Sequence, residues 1–248
     1  MKIVLCEAAH DEKGQLGYEA HVKGDQTEDE VRFHDWYGYV GYNKATPWTH
    51  IYRPVSKDLA NVIAIRMEEA ARNPNWGYGQ PNRTDAHDAL AKNPSPAAVD
   101  HPIDCDCSSL VNAVVWISLK LIGITNVLTG YETTAMMPQK YDARPDLFKN
   151  VIKEVDLETG RGVQRGDILV RPMSHTAVVT EVIDDHKGTV TTDLYLRKGA
   201  GTLYGAIVVM KKGETVAILD EAKTITGARW YKVQYGQQVG YCSSKYIV

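Results

Sequence analysis

The stretch Asp104-Cys105-Asp106-Cys107-Ser108-Ser109-Leu110-Val111 places two cysteines directly ahead of a long apolar run. That run, Leu110–Ile122, stops at Gly123, a residue type that commonly terminates helices, so it predicts a buried helix. Cys107 would then lie at the helix N-terminus, where unpaired backbone amides and the positive end of the helix dipole favour a thiolate. The stretch therefore predicts that Cys107 is a nucleophile.

A cysteine nucleophile needs a base, and a candidate opens the segment His175–Ile183. Its β-branched residues predict a strand, and Arg165–Arg171 just before it predicts a turn entering a second strand that pairs with the first. A histidine at a strand start beside the cysteine's helix can take the thiol proton. His175 is the predicted base, and the amides of Cys107 and Ser108 are candidates to hold an oxyanion.

The remainder of the first 187 residues predicts a mixture of helices and strands. The N-terminal apolar run Met1–Cys6 predicts a first strand, and Ser56–Asn73 predicts an amphipathic helix that Ser56 can cap. A short helix is expected at Thr84–Ala91, whereas Phe148–Val155 is compatible with either a strand or a helix.

From about Gly188 the pattern changes to five short strands separated by glycine turns, which predicts a small β-barrel. With 44% apolar residues in 248, the chain can bury a core in each part. The predicted fold class is an α+β domain at 1–187 followed by an all-β barrel at 188–248.

The composition limits the partners that the protein can have. A net charge of −3 gives no overall attraction to nucleic acid or anionic lipid, and no apolar stretch reaches the roughly 18 residues that a membrane span requires. Neither nucleic acid nor membrane insertion is therefore expected. The N-terminal run is also shorter than a signal-peptide core of roughly 7–15 residues, so the expected location is the cytoplasm of the producing cell until release.

Two readings compete with catalysis at the cysteine. Cysteine and histidine are often core residues, so a purely structural role in packing is an alternative for Cys107 and His175. His101, Cys105 and Cys107 carry groups that bind zinc, but the Cys-x-Cys spacing lacks the gap and the second pair of a structural zinc site. No metal and no cofactor is expected, and four irregularly placed cysteines predict a reduced protein.

The segment Asp106–Val111 at a helix start, with Arg165–Leu169 and Ser174–Val179 downstream, resembles the NlpC-type cell-wall cysteine peptidases. This resemblance implies a papain-like core and cleavage of a peptide bond in the peptidoglycan stem, usually between D-glutamate and the dibasic third residue. Other segments are similar to a subgroup found among phage and prophage lysins: Gly24–Thr27, Trp36-Tyr37, Pro47–Thr49 and the doubled Cys105-Asp106-Cys107.

The resemblance also implies roles for individual residues. Cys107 is the nucleophile and His175 the base, while Asp106 and Ser108 contact the substrate. Tyr78 matches the family tyrosine that assists the oxyanion, although it lies further ahead of its cysteine than in the family, which implies an insertion. Cys105 receives no role.

One position departs from the family pattern. The family places a polar residue that orients the histidine on the strand after the base, but here that position falls in the predicted turn Asp185–Lys187. Asp185, His186 and Asp193 are candidates, and the residue stays unassigned.

The last sixty residues resemble the bacterial SH3-type cell-wall-binding domain, so bacterial peptidoglycan is the implied partner. A wall-binding module raises the effective concentration of the enzyme at its substrate. The implied function is a lysin-like peptidoglycan hydrolase; an N-acetylmuramoyl-L-alanine amidase, a crossbridge endopeptidase and a non-catalytic wall-binding protein are alternatives. The oligomeric state is not indicated. The matching segments are Leu196–Gly201, Lys212–Glu214, Trp230–Val233 and Gly240–Tyr246.

Overall fold

The computed structural model describes residues 1–10, 14, 30–40, 45–183 and 187–248. The chain divides into two compact units, Ile3–Val182 and a second one formed by Met1–Lys2 with Ile183–Val248. The first unit mixes helices and strands, and the second is all β apart from a short 3-10 turn. The domain boundary near residue 187 stays a prediction, since this division of the chain falls a few residues earlier.

Strands and helices alternate up to residue 183, and a mostly β pattern follows in the second unit. The elements up to residue 183 are, in chain order, β1 Lys2–Ala8, β2 Val31–Asp35, β3 His50–Pro54, α1 Lys57–Arg72, β4 Trp76–Tyr78, α2 Asp85–Lys92, β5 Ile103–Cys105, α3 Cys107–Leu121, α4 Met137–Asp142, β6 Phe148–Asn150, β7 Ile168–Arg171 and β8 His175–Ile183. The segment left open between strand and helix therefore forms the short strand β6 and then a 3-10 turn.

The amphipathic helix α1 confirms its prediction. Ser56 caps it by accepting a hydrogen bond from the Leu59 backbone N–H at 3.3 Å, and the apolar stripe that includes Ile63 and Met67 is buried. Helix α2 also forms where it was expected, although Thr84 makes no side-chain capping bond. No helix among the described residues is both long enough and apolar enough to cross a bilayer.

Helix α3 begins earlier than its apolar run because a capping box holds its first turn. The Asp106 carboxylate accepts from the Ser109 N–H at 2.7 Å, and Ser109 Oγ accepts from the Asp106 N–H at 2.8 Å. The helix ends just before Gly123, whose φ of +80° fits the left-handed position after a helix. Cys107 is consequently the first residue of the helix, as predicted.

The central sheet has the strand order β2-β1-β8-β7-β3-β6. Strands β7 and β8 pair antiparallel, with Arg171 opposite His175, which confirms that they are neighbours. Alternate residues of β7 enter two separate core clusters: Ile168 and Val170 pack with the helices, whereas Leu169 packs on the other side. A strand buried on both faces explains the continuous apolar run in the sequence.

A second, two-stranded sheet lies next to α3. Strands β4 and β5 pair in parallel, and this register sets Tyr78 opposite Cys105. Gly79 permits a close approach there, because a Cβ at that position would come within 2.6 Å of the Asp104 carboxylate. The pairing brings Tyr78 near Cys107 despite the long loop between them.

The described residues of the second unit form one more strand than the five expected, because a three-residue strand, Lys187–Thr189, lies at the predicted domain boundary. Its apolar core includes Leu196, Met210, Val233 and Cys242. The strands are β9 Lys187–Thr189, β10 Leu194–Arg197, β11 Ala206–Met210, β12 Thr215–Lys223, β13 Arg229–Tyr235 and β14 Gln238–Ser243. Their order in the sheet is β11-β10-β14-β13-β12-β9.

Candidate active site

Cys107 and His175 meet at the start of α3 and the start of β8. Both side chains line one cavity of about 890 Å³, and Cys107 lies close enough to His175 to raise the pKa of its imidazole. The Cys107 side chain is partly exposed, and its N–H lies in the first helical turn, where backbone amides have no intrahelical acceptor. The two residues predicted from the sequence are therefore within reach of one another and of a substrate.

A third residue, Glu7 on β1, completes this arrangement. His175 Nε2 donates to Glu7 Oε2 at 3.0 Å, and the Glu7 side chain is only 3% exposed. The Tyr37 hydroxyl donates to the same carboxylate, as does the Arg32 guanidinium at 3.4 Å. Because Nε2 is occupied by Glu7, Nδ1 of His175 is left to face the thiol of Cys107.

Glu7 occupies the orienting position that the sequence left unassigned. Among the candidates considered there, Asp193 instead pairs with Lys211 at 2.8 Å in the second unit, and Asp185 and His186 lie outside the described residues. One sequence signal pointed to Glu7, namely a single carboxylate in the otherwise apolar part of β1. A charged residue in a buried strand requires a partner.

The charges of the three groups depend on one another. Burial alone lowers the pKa of His175, but a thiolate at Cys107 and the carboxylate of Glu7 outweigh it and raise this pKa to about 10. Burial alone raises the pKa of Glu7, but His175, Tyr37 and Arg32 lower it to about 2. Near neutral pH the imidazolium of His175 and the carboxylate of Glu7 therefore form an ion pair beside the sulfur of Cys107.

Aromatic side chains fix the position of the imidazole. The buried Trp48 stacks on His175 with the ring centroids 5.9 Å apart, and its indole N–H donates to the Tyr37 carbonyl at 2.7 Å. Burial, followed by the charge of Glu7, raises the pKa of Tyr37, so its hydroxyl keeps the proton that it donates to that carboxylate. Tyr37 and Trp48 thus pack around the candidate base.

Asp106 and Ser108 lie in a buried network behind the nucleophile. Ser108 Oγ donates to Asp106 Oδ1 at 3.0 Å, and Arg83 donates to both side chains and, at 3.3 Å, to the Glu132 carbonyl. Neither residue is among those that line the cavity. Substrate contact by Asp106 and Ser108 stays a prediction, and this geometry favours a role in holding the first turn of α3.

Tyr78 does line the cavity that contains Cys107. Its backbone N–H donates to the carboxylate of the buried Glu30 at 2.6 Å, which ties β4 to the start of β2. The parallel pairing with β5 holds the other edge of strand β4. The insertion implied by the sequence is thus compatible with a tyrosine beside the nucleophile.

Cys105 is a core residue. Its thiol is fully buried and donates to the Gly77 carbonyl at 3.4 Å, and burial raises its pKa well above the ordinary value. Of the other proposed zinc ligands, the exposed His101 contacts Asp100 at 2.9 Å. The described part of the chain contains no group of three or more His, Cys, Asp or Glu side chains arranged to hold a metal ion.

Comparison with known proteins gives two matches to family models, and no curated protein matches the chain significantly. Residues 192–248 match the model of a bacterial SH3 domain, which is consistent with peptidoglycan binding by the second unit. Residues 5–186 match the model of an endolysin-like domain. Together the matches support a phage-endolysin-like cell-wall enzyme. Because the endolysin-like match covers well over half of the sequence, the chain belongs to the endolysin-like domain family.

Proposed function

We propose that this protein is a cysteine-dependent peptidoglycan hydrolase that cleaves an amide bond in the stem peptide. The observation that carries the proposal is that Glu7, His175 and Cys107 line one cavity, with Glu7 bonded to His175 and Cys107 close enough to raise the pKa of that histidine. Nucleophile, base and orienting group in contact are the parts that covalent amide hydrolysis requires. The family match supplies the substrate class.

The thiolate of Cys107 attacks the carbonyl carbon of the scissile amide. The tetrahedral intermediate collapses to a thioester, and the imidazolium of His175 gives its proton to the departing amine. His175 then takes a proton from a water molecule, which attacks the thioester and releases the carboxylate product and the thiol. Glu7 keeps Nε2 of the imidazole bonded, so that the other nitrogen faces the sulfur throughout.

Negative charge develops on the carbonyl oxygen during both steps. The amides of Cys107 and Ser108 in the first turn of α3 and the hydroxyl of Tyr78 are the donors proposed to stabilise it. The backbone bond from Tyr78 to Glu30 supports this role by fixing the strand that carries the tyrosine.

The finer assignments belong to the same proposal. An NlpC-type enzyme with a papain-like core is supported by a cysteine on the first turn of a buried helix and a histidine at the start of a sheet strand. The bond proposed is that between D-glutamate and the dibasic residue. The second unit, through its SH3-type fold, holds the enzyme on the wall.

Replacing the nucleophile tests the mechanism. Cys107→Ala should lower the rate of wall digestion by at least about a thousandfold, because no other group can form the thioester. The matched control is Cys105→Ala, two residues away and outside the cavity, which should retain most of the activity. Digestion of purified sacculi by Cys107→Ala at the normal rate would rule the mechanism out.

Mass analysis of the fragments released from the sacculi identifies the cleaved bond. A new N-terminus on the dibasic residue supports the proposal, whereas a free N-acetylmuramoyl group indicates an amidase and a cut bridge indicates a crossbridge endopeptidase. A purely wall-binding protein would release no fragments. Its Cys107 would react with iodoacetamide no faster than an ordinary thiol and would not be protected by wall peptides.

A further inference from the structure

Arg32 is the main permanent positive charge on the wall of the catalytic cavity. It extends from β2, lines the cavity together with Glu7, Cys107 and His175, and its side chain remains 26% exposed. Arg32 contacts Glu7, which contacts His175, so the arginine lies in the same cavity as the nucleophile.

Among the described residues, the guanidinium of Arg32 makes hydrogen-bond contacts with two side chains, Glu7 and His10. Nη2 donates to Glu7 at 3.4 Å, which is long for a bond between charged groups, and Nη1 contacts His10 Nε2 at 2.8 Å. Within the described residues the buried Nε has no hydrogen-bond partner. A guanidinium has five N–H donors, and Nη1 and Nη2 each make one contact among the described residues, so donors remain for a ligand there.

Arg32 makes the longest of the three contacts to the Glu7 carboxylate. The Glu7 carboxylate already accepts from His175 at 3.0 Å and from the hydroxyl of Tyr37. An arginine left with a weak internal contact, facing a cavity, is suited to bind a planar anion with two parallel hydrogen bonds. The exposed part of Arg32 therefore points to an acidic group on the substrate.

We propose that Arg32 is a specificity-determining residue that binds a free carboxylate of the substrate next to the scissile amide. The inference rests on the proposed function and deepens it. A glutamyl residue has two carboxyl groups; when one forms the scissile amide, the other stays beside it as a free carboxylate or as a carboxamide. Arg32 selects the carboxylate, because a neutral amide offers one acceptor and no charge.

The test uses two synthetic stem peptides that differ only in this group, one with the glutamyl carboxylate free and the other with it amidated. The wild-type enzyme should cleave the carboxylate form with a kcat/KM about tenfold to a hundredfold higher. In Arg32→Gln this preference should disappear, mainly through a higher KM for the carboxylate peptide. Arg32→Lys should restore part of it, and Arg144→Gln, which removes an exposed arginine elsewhere in the first unit, should leave it unchanged.

Binding of the same peptides to Cys107→Ala, measured by calorimetry, separates this inference from the catalytic proposal. A preference for the carboxylate peptide that is lost in Cys107→Ala/Arg32→Gln supports the subsite, even if the wild-type enzyme hydrolyses neither peptide and the proposed function fails. Equal losses for both peptides in Arg32→Gln would assign a purely structural role to the arginine and overturn the inference, as would a preference that survives the substitution.

Discussion

The two units of the chain bury different kinds of side chain. All the buried carboxylates among the described residues lie in the first unit, whereas the core of the second unit is apolar. A buried carboxylate is costly unless donors surround it, so a fold that keeps several must supply those donors. The first unit therefore depends on precise polar contacts, whereas the SH3-type unit depends on apolar burial.

Three of the buried carboxylates of the first unit hold parts of the candidate active site. Glu7 accepts from the base His175, and Glu30 holds the backbone of Tyr78. Asp106 caps the helix that begins with Cys107. Each of these three carboxylates fixes a candidate catalytic residue or the element that carries one, so their burial keeps the site in one geometry.

The largest effect is expected when the charge of Glu7 is removed. Glu7→Gln should lower kcat/KM on a soluble stem peptide about a hundredfold or more, because the carboxylate no longer orients His175 or stabilises its imidazolium. The alkaline limb of the pH profile should move to lower pH, since Glu7 contributes to the raised pKa of His175. Binding to sacculi through the second unit should not change.

The matched control for this substitution is Glu181→Gln, which removes an exposed carboxylate on β8. Its rate and pH profile should equal those of the wild-type protein. A Glu7→Gln enzyme with the wild-type rate and profile would show that the contact between Glu7 and His175 has no catalytic role.

A smaller effect is expected from Arg83, the cation that pairs with Asp106. Arg83→Met leaves that carboxylate buried without its counter-ion and should lower the free energy of unfolding of the first unit by about 3 kcal/mol. Hydrogen exchange measured peptide by peptide should show faster exchange in α3 and unchanged exchange in the barrel strands. The solvent-accessible pair of Arg144 and Asp146 provides the control, because Arg144→Met should leave the free energy of unfolding nearly unchanged.

If hydrogen exchange accelerated equally in both units, the two units would not differ in their dependence on buried polar contacts. No acceleration in either unit would mean that Asp106 does not need its counter-ion.

The smallest effect concerns the stability of the first unit as a function of pH. The pKa of Glu7 is about 2 in the folded protein and 4.5 ordinarily, so its contribution is complete above about pH 5 and is lost as the pH falls towards 2. Between pH 5 and pH 3 the contribution of Glu7 to the free energy of unfolding should fall by about 2 kcal/mol. His175 has a raised pKa, so its contribution is complete below about pH 6.5 and is lost as the pH rises through about 10.

Chemical unfolding of wild type and Glu7→Gln at a series of pH values isolates the contribution of Glu7. The difference between the two proteins should shrink on acidification. A constant difference from pH 3 to pH 6 would contradict the lowered pKa. The SH3-type unit, in whose described residues no carboxylate is buried, serves as the internal reference.

Local sequence patterns predicted the elements that carry the two central residues. The apolar run after Cys107 predicted α3, and β-branched residues predicted β8 with His175 at its start. These features depend on neighbours within a few residues, which a sequence displays directly. The capping box of Asp106 and Ser109 extends α3 ahead of the apolar run and puts Cys107 at its first position, as predicted.

The residues that complete the site could not be predicted, because they depend on which strands are neighbours. Glu7 and Arg32 reach the base only because β1 lies beside β8 and β2 beside β1. A strand pattern states which residues share a face but not which strand will pair with it. Arg83 gave no signal at all, since nothing in its local sequence indicates contact with Asp106.

The position of Glu7 also has a consequence for how the enzyme is made. Glu7 and His175 are 168 residues apart, so their contact closes a long loop, a kind of contact that forms slowly in folding. Synthesis proceeds from the N-terminus, and Cys107 therefore leaves the ribosome well before His175. A partly synthesised chain therefore contains the sulfur of Cys107 but not the imidazole of His175, and the proposed catalytic group is complete only when β8 has joined β1.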